Sequence, residues 1–384
     1  MRILFLTPFL PNPAASHGGG SYLGSLAEGL QDQAELGLVN LRHADEGVGP
    51  DTTWSWQGNA AYAGVPSGMA HRLRMLWRWR NRPILAAKYW QPELLDRIDA
   101  ARREFAPDVA LVELAQMAQY LPALRGLPTV FTDHEAGRPA NAHTGLGAAA
   151  DRRDDRLWRR YIQNHYGQAT AIQAVTQEDA DTLTQQIGRE VLVRPPALRI
   201  PDVACQPGAA PKAALFLGDY RHGPNPEAAT RLATEVWPLV RDAHPDAELL
   251  LAGPHEAPIR GLDELPGVRV LGFMPDLAEL LGRVRVVLAP LWSGGGFRVK
   301  NATALAHGVP VVTNEIGSRG CLADDPACLI AETADELAKA TMRHLASAEF
   351  ANTAGAKARE WARAQYAPAA VARLQLERLK QLLR

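Results

Sequence analysis

Residues 289–317 read APLWSGGGFRVKNATALAHGVPVVTNEIG, in which a predicted strand leads into three glycines, two cations, a helix and another strand. A helix that begins near Phe297 would point the positive end of its dipole at the glycines. Arg298 and Lys300 add mobile positive charge, which suits a diphosphate better than a neutral metabolite. The glycines lack side chains, so their backbone N–H groups can approach a ligand: Gly294, Gly295 and Gly296. A loop that only turns the chain is the alternative, but strand, glycines, cations and helix in this order favour an anion site.

The composition limits the function classes. The chain has 384 residues, 47% hydrophobic and 22% charged residues, and a formal net charge of -1. These values are typical of a soluble globular protein with two domains, and they argue against bulk nucleic-acid binding. No stretch approaches the roughly 18 consecutive apolar residues of a spanning helix. The cysteines are scattered without CxxC spacing, which indicates neither a disulfide framework nor a zinc site and makes a reducing cytoplasm the expected setting: Cys205, Cys321 and Cys328.

Short apolar strands alternate with longer helical patterns, which predicts βα units around parallel sheets. The opening MRILFLTPFLPNP is interpreted as a first strand and not as a signal peptide, because Pro8 interrupts its apolar run. Proline becomes dense in residues 194–205, RPPALRIPDVAC, which predicts a linker. We therefore expect an α/β fold of two doubly wound domains that face a cleft. The predicted strands are Ile3–Leu6, Val109–Val112, Thr129–Thr132, Ala171–Val175, Val191–Arg194, Ala214–Leu217, Glu248–Ala252, Val268–Leu271, Val284–Ala289 and Val309–Thr313.

Ligands of such sheets bind beyond the carboxyl ends of the strands, where loops enter helices. The loop PNPAASHGGGS places four candidate residues at a helix start: His17, Gly18, Gly19 and Gly20. It lacks the GxGxxG pattern and is long and rich in proline, so NAD or FAD binding is discounted. A second loop, FTDHEAGR, has three titratable side chains at a strand end: Asp133, His134 and Glu135. A histidine there can contact substrate, although a lone histidine is more often structural.

A third loop, LGDYRHGPNPEA, begins where Gly218 ends a strand. Arg221 follows within this loop, and Asn225 is predicted to cap a helix that opens at Pro226. The segment GFMPD, residues 272–276, lies near the triple-glycine site in sequence and is a predicted wall of it.

The second half of the chain resembles the nucleotide-sugar-binding domain of family 4 glycosyltransferases of the GT-B fold, especially the hexosyltransferase branch with a GGGxRxK stretch. The matching pieces are LFLGDYRHGPNPEA, ELLLAGP, VRVLGFMPDLAELL and residues 284–320. The first half resembles the acceptor domain of that family through its glycine-rich first loop, TDHEAGR and AVTQEDADTL, and RPPALRI stands at the interdomain turn. The resemblance covers most of the chain apart from Arg42–Ala106.

The resemblance implies a role for each matching residue. Backbone amides of Gly294–Phe297 would bind the donor diphosphate and Arg298 and Lys300 would neutralise it, so no metal or other cofactor is expected. His134 would be the catalytic residue near the transferred sugar, with retention of anomeric configuration. The glycines of the first loop, with His17, Asp133 and Glu135, would line the acceptor side of the cleft. The remaining implied donor contacts are Gly218, Arg221, Asn225, Gly272 and Phe273.

One departure from the family concerns the ribose. Family members usually have two glutamates eight residues apart, and here those positions are Gly295 and Thr303. Thr303 can make one hydrogen bond, but it cannot hold two hydroxyls with charge-assisted strength, a loss of about 1–3 kcal/mol if nothing compensates. The residues able to compensate are Asn301, His307 and Glu315.

The region outside the resemblance contains HRLRMLWRWRNRPILAAKYW, in which arginines alternate with leucines and tryptophans from Arg72 to Trp90. A basic helix with tryptophans suits the face of an anionic bilayer, where a lipid-linked acceptor would be presented. The alternative is a helix that packs its Leu and Trp side onto the acceptor domain and leaves the arginines in solvent. A second charged run, DRRDDRLWRR at residues 151–160, is interpreted as a solvated helix face.

The expected organisation has three parts. Residues 1–195 form an acceptor-binding Rossmann-like domain, and residues 196–365 form the nucleotide-sugar-binding Rossmann-like domain. Residues 366–384 form an amphipathic C-terminal helix that crosses back to pack on the first domain, as in GT-B enzymes.

The expected function is that of a retaining hexosyltransferase acting in cell-surface polysaccharide or glycolipid assembly. Its partners would be a nucleotide-sugar donor and a glycan or lipid-linked acceptor, with no nucleic acid. It would lie in the cytoplasm, peripheral to the inner face of the membrane if the Arg72–Trp90 segment binds there. The alternative is a non-catalytic GT-B scaffold or binding protein with a degenerate donor site. Epimerisation and phosphorolysis lack a second acid pair or a cofactor-lysine motif.

Overall fold

The computed structural model describes residues 1–13, 15, 18–43, 54–62, 69–136, 144–294, 296–321, 323 and 325–384, and for residues 70–72 the backbone alone. Two compact units divide the chain. The first comprises Met1–Leu198 together with Pro368–Arg384, and the second comprises Arg199–Ala367. The predicted divisions after residues 195 and 365 lie close to these limits.

A seven-stranded sheet lies in the first unit, in the order β3-β2-β1-β4-β5-β6-β7, and its neighbouring strands are parallel. Its strands are β1 (Arg2–Thr7), β2 (Glu35–Arg42), β3 (Trp56–Ala61), β4 (Val109–Glu113), β5 (Thr129–Asp133), β6 (Ala171–Ala174) and β7 (Leu192–Val193). The helices of this part are α1 (Gly18–Leu30), α2 (Met69–Trp79), α3 (Ile84–Lys88), α4 (Glu93–Glu104), α5 (Ala148–His165) and α6 (Gln177–Ile187), with 3₁₀ segments at Ala115–Leu124 and Tyr166–Gln168.

Both faces of this sheet carry an apolar core. Successive residues of β1 point to opposite faces, so Leu4 and Leu6 join one core cluster while Ile3 and Phe5 join the other. Covered faces explain why the central strands are continuous apolar runs and not alternating ones.

A six-stranded parallel sheet lies in the second unit, in the order β10-β9-β8-β11-β12-β13. Its strands are β8 (Ala213–Leu217), β9 (Glu248–Ala252), β10 (Val268–Gly272), β11 (Val286–Leu288), β12 (Val311–Thr313) and β13 (Cys328–Ile330). The helices are α7 (Pro224–Arg231), α8 (Trp237–Ala243), α9 (Leu277–Gly282), α10 (Val299–Ala306), α11 (Glu315–Ser318), α12 (Ala334–Ala346) and α13 (Ala348–Tyr366). A π segment, Leu232–Val236, joins α7 to α8, and 3₁₀ turns lie at Pro207–Ala209, Ala257–Ile259 and Leu262–Glu264.

The last helix, α14 (Pro368–Leu382), packs against α1. The two helices approach so closely that a Cβ on Gly29 would lie 2.4 Å from the carbonyl oxygen of Pro368. Leu376 and Leu379 enter the core cluster that contains Leu26. The C-terminal helix therefore belongs to the first unit.

The prediction of two doubly wound α/β units is confirmed, and the differences lie in individual strands. β2, β3 and β13 were not predicted. The predicted strand Val284–Ala289 is shorter in the structure, Val286–Leu288, and the predicted strand Val191–Arg194 is reduced to Leu192–Val193. The cysteines are free thiols: Cys205, Cys321 and Cys328.

The interpretation of residues 151–160 as a solvated helix face is wrong for Asp154. Its side chain is fully buried, and Oδ1 accepts hydrogen bonds from Trp79 Nε1 at 2.7 Å and from the Ile84 N–H at 2.8 Å. Leu157 and Trp158 of the same run are buried as well. Asp154 therefore anchors the α2–α3 region onto α5.

Replacing Asp154 by Ala is expected to lower the free energy of unfolding by about 2–4 kcal/mol, because it leaves two donors without an acceptor. The change is measured by urea unfolding of the variant. Asp99→Ala, at an exposed position of α4 in the same unit, is the matched control and should stay within about 0.5 kcal/mol of the unsubstituted protein. Equal stability of the two variants would contradict the assignment of Asp154 as an anchor.

Candidate functional site

The second sheet changes its direction of winding between β8 and β11, which are neighbours in the strand order. Ligands of open α/β sheets bind at such a point, beyond the carboxyl ends of the strands. A cavity of about 170 Å³ lies there, and among the described residues its wall is formed by Phe216, Leu217, Asn225, Ala289, Leu291, Phe297, Arg298, Val299, Lys300 and Asn301. Sites for whole drug-sized ligands measure roughly 300–1,000 Å³, so this cavity suits one group of a larger ligand.

Lys300 brings its ammonium group to the end of β8. Its Nζ donates to the Leu217 carbonyl at 2.7 Å and lies 3.5 Å from Asn225 Oδ1. The pKa of Lys300 is lowered to about 8, mainly by burial; Asp219 opposes this shift and the nearby Arg298 adds to it. An ammonium has three donors, so Lys300 keeps the capacity to bind an anion in the cavity.

Arg298 has a structural role that the sequence did not predict. Nε and Nη2 donate to the Ile316 carbonyl at 3.1 and 3.0 Å, and Nη2 also donates to the Gly294 carbonyl at 3.0 Å. The guanidinium therefore ties the glycine loop to the segment after β12. Its positive charge remains in the cavity wall.

The glycine loop takes a backbone that favours glycine. Gly294 and Gly296 have φ values of 103° and 76°, a region that residues with a side chain rarely adopt. A Cβ on Gly294 would have ordinary contacts, so the backbone conformation and not the available space selects glycine there. Gly295 lies outside the described residues.

The loop is also pinned from β12 by Asn314, a residue that sequence reasoning missed. Its Oδ1 accepts from the N–H groups of Leu291 and Gly317 at 2.9 Å each, and its Nδ2 donates to the Leu291 carbonyl at 2.8 Å. The sequence feature that could have identified Asn314 is the position of an asparagine directly after a buried strand. The segment that leads into the glycine loop is thereby held through both the N–H and the carbonyl of Leu291.

Helix α10 begins at Val299, two residues after the predicted start near Phe297. Thr303 Oγ1 donates to the Val299 carbonyl at 2.8 Å within the same helix. Two of the residues considered as compensation are bonded to backbone: Asn301 Nδ2 donates to Gly317 O at 2.7 Å, and His307 Nδ1 lies 2.8 Å from Thr303 O. The third, Glu315, has an exposed side chain.

The loop after β8 corrects one prediction. Helix α7 begins at Pro224, so Asn225 lies in its first turn and is not its cap. Asn225 Nδ2 instead donates to the Asp219 carbonyl at 2.8 Å. Arg221 is mostly exposed and donates to Asp219 Oδ2 at 2.8 Å, an arrangement that holds the pKa of Asp219 well below its usual range.

Several predicted donor contacts lie apart from this cavity wall, taken over the described residues: Gly218, Arg221, Gly272, Phe273 and Thr303. Gly272 ends the edge strand β10 with φ 66°, and the next side chain, Phe273, is 68% exposed. The structure thus brings together Asn225, Phe297, Arg298 and Lys300.

In the first unit, His134 follows β5 and contacts a buried ion pair. His134 Nε2 lies 3.0 Å from Glu113 Oε2, and Arg194 Nη2 donates to the same oxygen at 2.7 Å. Burial alone would raise the pKa of Glu113, but Arg194 and His134 outweigh it and the pKa is lowered. Glu113 at the end of β4 and Arg194 after β7 were both missed from the sequence.

The other residues of the predicted acceptor loops have different environments. Asp133 is buried, accepts from Tyr166 Oη at 2.7 Å and from the Glu135 N–H at 3.2 Å, and burial raises its pKa to about 7. It therefore lies beneath the loop surface, whereas Glu135 is half-buried. Gly18, Gly19 and Gly20 form the first turn of α1, and His17 lies outside the described residues.

No group of three or more His, Cys, Asp or Glu residues in the described ranges is placed to hold a metal ion. Among the helices of these ranges, none has both the length and the apolar character needed to cross a membrane.

The fold defined by these two units is that of GT-B glycosyltransferases. Residues 211–347, which include the cavity, match the family model for glycosyl transferases group 1. A search of curated proteins gave no significant match.

Solved structures resemble the whole chain at low sequence identity. Sucrose-phosphate synthase from Thermosynechococcus elongatus is 17% identical with a TM-score of 0.69, covering 100% of this chain and 99% of that one. HepE from Anabaena, in complex with UDP and glucose, is 15% identical with a TM-score of 0.62, covering 98% and 99%. TarM from S. aureus, in complex with Fondaparinux, alpha-GlcNAc-glycerol and UDP, is 11% identical with a TM-score of 0.64, covering both chains completely at 100%.

Proposed function

We propose that this protein is a retaining glycosyltransferase of family 4, a hexosyltransferase that moves a sugar from a nucleotide-diphosphate sugar to a glycan or lipid-linked glycan. The observation that carries the proposal is the cavity at the β8–β11 winding change, whose wall brings Lys300 and Arg298 together around a space that we propose holds the donor diphosphate. The family match over residues 211–347 and the UDP complexes of similar structures support it.

The proposed chemistry rests on the departing diphosphate. The ammonium of Lys300 and the guanidinium of Arg298 would neutralise the charge that develops on it, and backbone N–H groups at the start of α10 would add their dipoles. We propose that these groups serve without a metal ion. Departure and attack would take place on one face of the sugar, so that its anomeric configuration is retained.

His134 is the proposed catalytic residue on the acceptor side. Because the pKa of Glu113 is lowered, this carboxylate is ionised at neutral pH and accepts a hydrogen bond from the Nε2–H of His134. That bond leaves Nδ1 as the nitrogen able to accept a hydrogen bond from a sugar hydroxyl. Glu113 would act as a positioning residue, since it fixes the tautomer and orientation of the ring.

We further propose a role in cell-surface polysaccharide or glycolipid assembly, with the protein in the cytoplasm. The second candidate function is a non-catalytic scaffold or binding protein on the same fold. Thr303 favours it, because its hydroxyl donates to its own helix and no carboxylate occupies the position of the ribose-binding glutamate.

The test is turnover of nucleotide-diphosphate sugars by the purified protein with a panel of glycan acceptors. A transferase releases the nucleoside diphosphate in proportion to the glycoside formed. For a retaining enzyme, proton NMR of the first glycoside product should show the same anomeric configuration as the donor sugar. Binding of a nucleotide sugar without any product in the whole panel would favour the binding protein, and an inverted product would overturn retention.

The pH dependence of donor binding follows from Lys300, whose pKa of about 8 lies below the usual range because of burial. The protonated form binds the anion, so affinity for a nucleoside diphosphate should fall about tenfold for each pH unit above this pKa. Near pH 8 binding should take up about half a proton, measured by calorimetry in two buffers of different ionisation enthalpy. Lys300→Met should abolish this uptake, and an uptake that persists in the variant would assign it to another group.

A further inference from the structure

The outer face of α2 (Met69–Trp79) presents large apolar side chains to solvent. The relative exposures of Met69, Leu73, Leu76 and Trp77 are 69%, 59%, 51% and 66%. Their spacing of i, i+4, i+7 and i+8 places them on one side of a helix. We refer to these four residues as the α2 apolar face.

Contacts at the C-terminal end of α2 fix this orientation. Trp79 is 7% exposed and donates its Nε1 to the buried carboxylate of Asp154, and the Arg153 guanidinium stacks over its ring at 4.5 Å. Arg78 Nη1 lies 3.4 Å from the Ala87 carbonyl. The alternative reading of this segment, with its Leu and Trp side packed on the domain, is therefore right for Trp79 and wrong for the α2 apolar face.

Several arginines lie beside the α2 apolar face, and the acidic group that interacts with one of them, Arg78, is Glu93. The sequence contains no acidic residue between Asp51 and Glu93. Arg74 and Arg80 are exposed, and Arg82 stacks on Trp90 at 4.3 Å. The side chain of Arg72 lies outside the described residues.

We propose that the α2 apolar face docks on the surface of an anionic phospholipid bilayer. Leucine, methionine and tryptophan side chains would enter the boundary between headgroups and acyl chains, the region where tryptophan rings are enriched. The flanking arginines would meet anionic headgroups, and the absence of acidic residues in this stretch removes repulsion from them. A groove on a protein partner would also cover an apolar face, but the several arginines beside it, in a stretch of chain without acidic residues, favour an anionic surface.

The test is co-sedimentation of the full chain with vesicles of phosphatidylcholine alone and of phosphatidylcholine with an equal amount of phosphatidylglycerol. We expect binding to the anionic vesicles that weakens with salt. The double variant L73Q/W77Q should bind at least about tenfold more weakly, because two inserted side chains are lost. Arg74→Gln combined with Arg80→Gln should also weaken binding. Leu146→Gln is the matched control, since Leu146 is an apolar residue of the same unit and is 64% exposed.

The substituted side chains are exposed, so the variants should unfold at the temperature of the unsubstituted protein, which confirms that they fold. Equal binding of the L73Q/W77Q variant and the unsubstituted chain would overturn the proposal, as would an absence of binding to anionic vesicles. Self-association that the L73Q/W77Q change abolishes, without vesicle binding, would replace the bilayer by a second copy of the chain. Nucleotide binding is measured without lipid, so this proposal and the proposed function fail separately.

Discussion

Replacing Lys300 by Met is expected to weaken binding of a nucleoside diphosphate by about 30- to 150-fold, equivalent to roughly 2–3 kcal/mol. The ammonium lies in the cavity wall at the end of β8, and a charge-assisted bond to a diphosphate is stronger in this half-buried position than in open water. Methionine keeps the length of the side chain and removes the charge. Titration calorimetry of the variant measures the loss.

Lys212→Met is the matched control, because it removes the same charge from the residue just before β8. Lys212 therefore lies at the amino end of this strand, whereas Lys300 contacts its carboxyl end. Lys212 is bonded to Asp246 at 3.0 Å and lies outside the cavity wall. The control should bind within about twofold of the unsubstituted protein. Equal losses in the two variants would show a general charge effect and would remove Lys300 from the donor site.

Replacing Glu113 by Ala is expected to lower the free energy of unfolding by about 3–5 kcal/mol. The change leaves the guanidinium of Arg194, whose side chain is 3% exposed, buried without its carboxylate. It also removes the partner that holds the His134 ring. Urea unfolding of the variant measures the effect, and a loss below about 1 kcal/mol would contradict the ion pair.

The double change Glu113→Leu with Arg194→Met is the control, because replacing a buried pair by apolar side chains is often neutral. It should recover most of the stability. The lowered pKa of Glu113 sets the pH range: the stabilisation is complete above the usual carboxyl pKa and is lost as pH falls through the lowered one. The Glu113→Ala variant should therefore lose less stability in acid than the unsubstituted protein.

A kinetic measurement separates positioning from folding at this pair. If Glu113 orients His134, the Glu113→Leu, Arg194→Met protein should remain folded and bind nucleotide normally while its kcat for transfer falls. Unchanged kcat in a folded double variant would show that the pair serves stability alone.

The sequence predicts the central strands of both sheets because they are continuous apolar runs. β3, WQGNAA, contains Gln, Gly and Asn, and it lies at the sheet edge, where packing demands less of the sequence. β2 contains Gly37 and Asn40 within its apolar run, and β13 has only three residues. Their strand conformation depends on pairing with a neighbour, which local propensity does not record.

In the candidate site, too, features set by the local sequence are predictable and contacts between distant residues are not. Lys300 and the glycines are predicted from the local order of residues, and Lys300 lies in the wall of the cavity. The acceptor for Lys300 is a backbone carbonyl 83 residues away, and the partner of Glu113 is 81 residues away. Such contacts arise from the strand order and leave no local pattern. The same is true of Asp154, whose charged neighbours predicted a solvated face.

The most direct test of the central claim is calorimetric titration of the purified protein with UDP, GDP, ADP, dTDP and their common sugar conjugates. A ligand that binds only the folded state also raises the unfolding temperature, so a thermal-shift measurement provides a second readout. We predict selective binding of one nucleoside diphosphate and its sugar conjugate, lost in the Lys300→Met protein and retained in the Lys212→Met protein. If no nucleotide binds, a donor site at this cavity is contradicted. The protein would then be a non-catalytic scaffold or would bind a ligand of different chemistry.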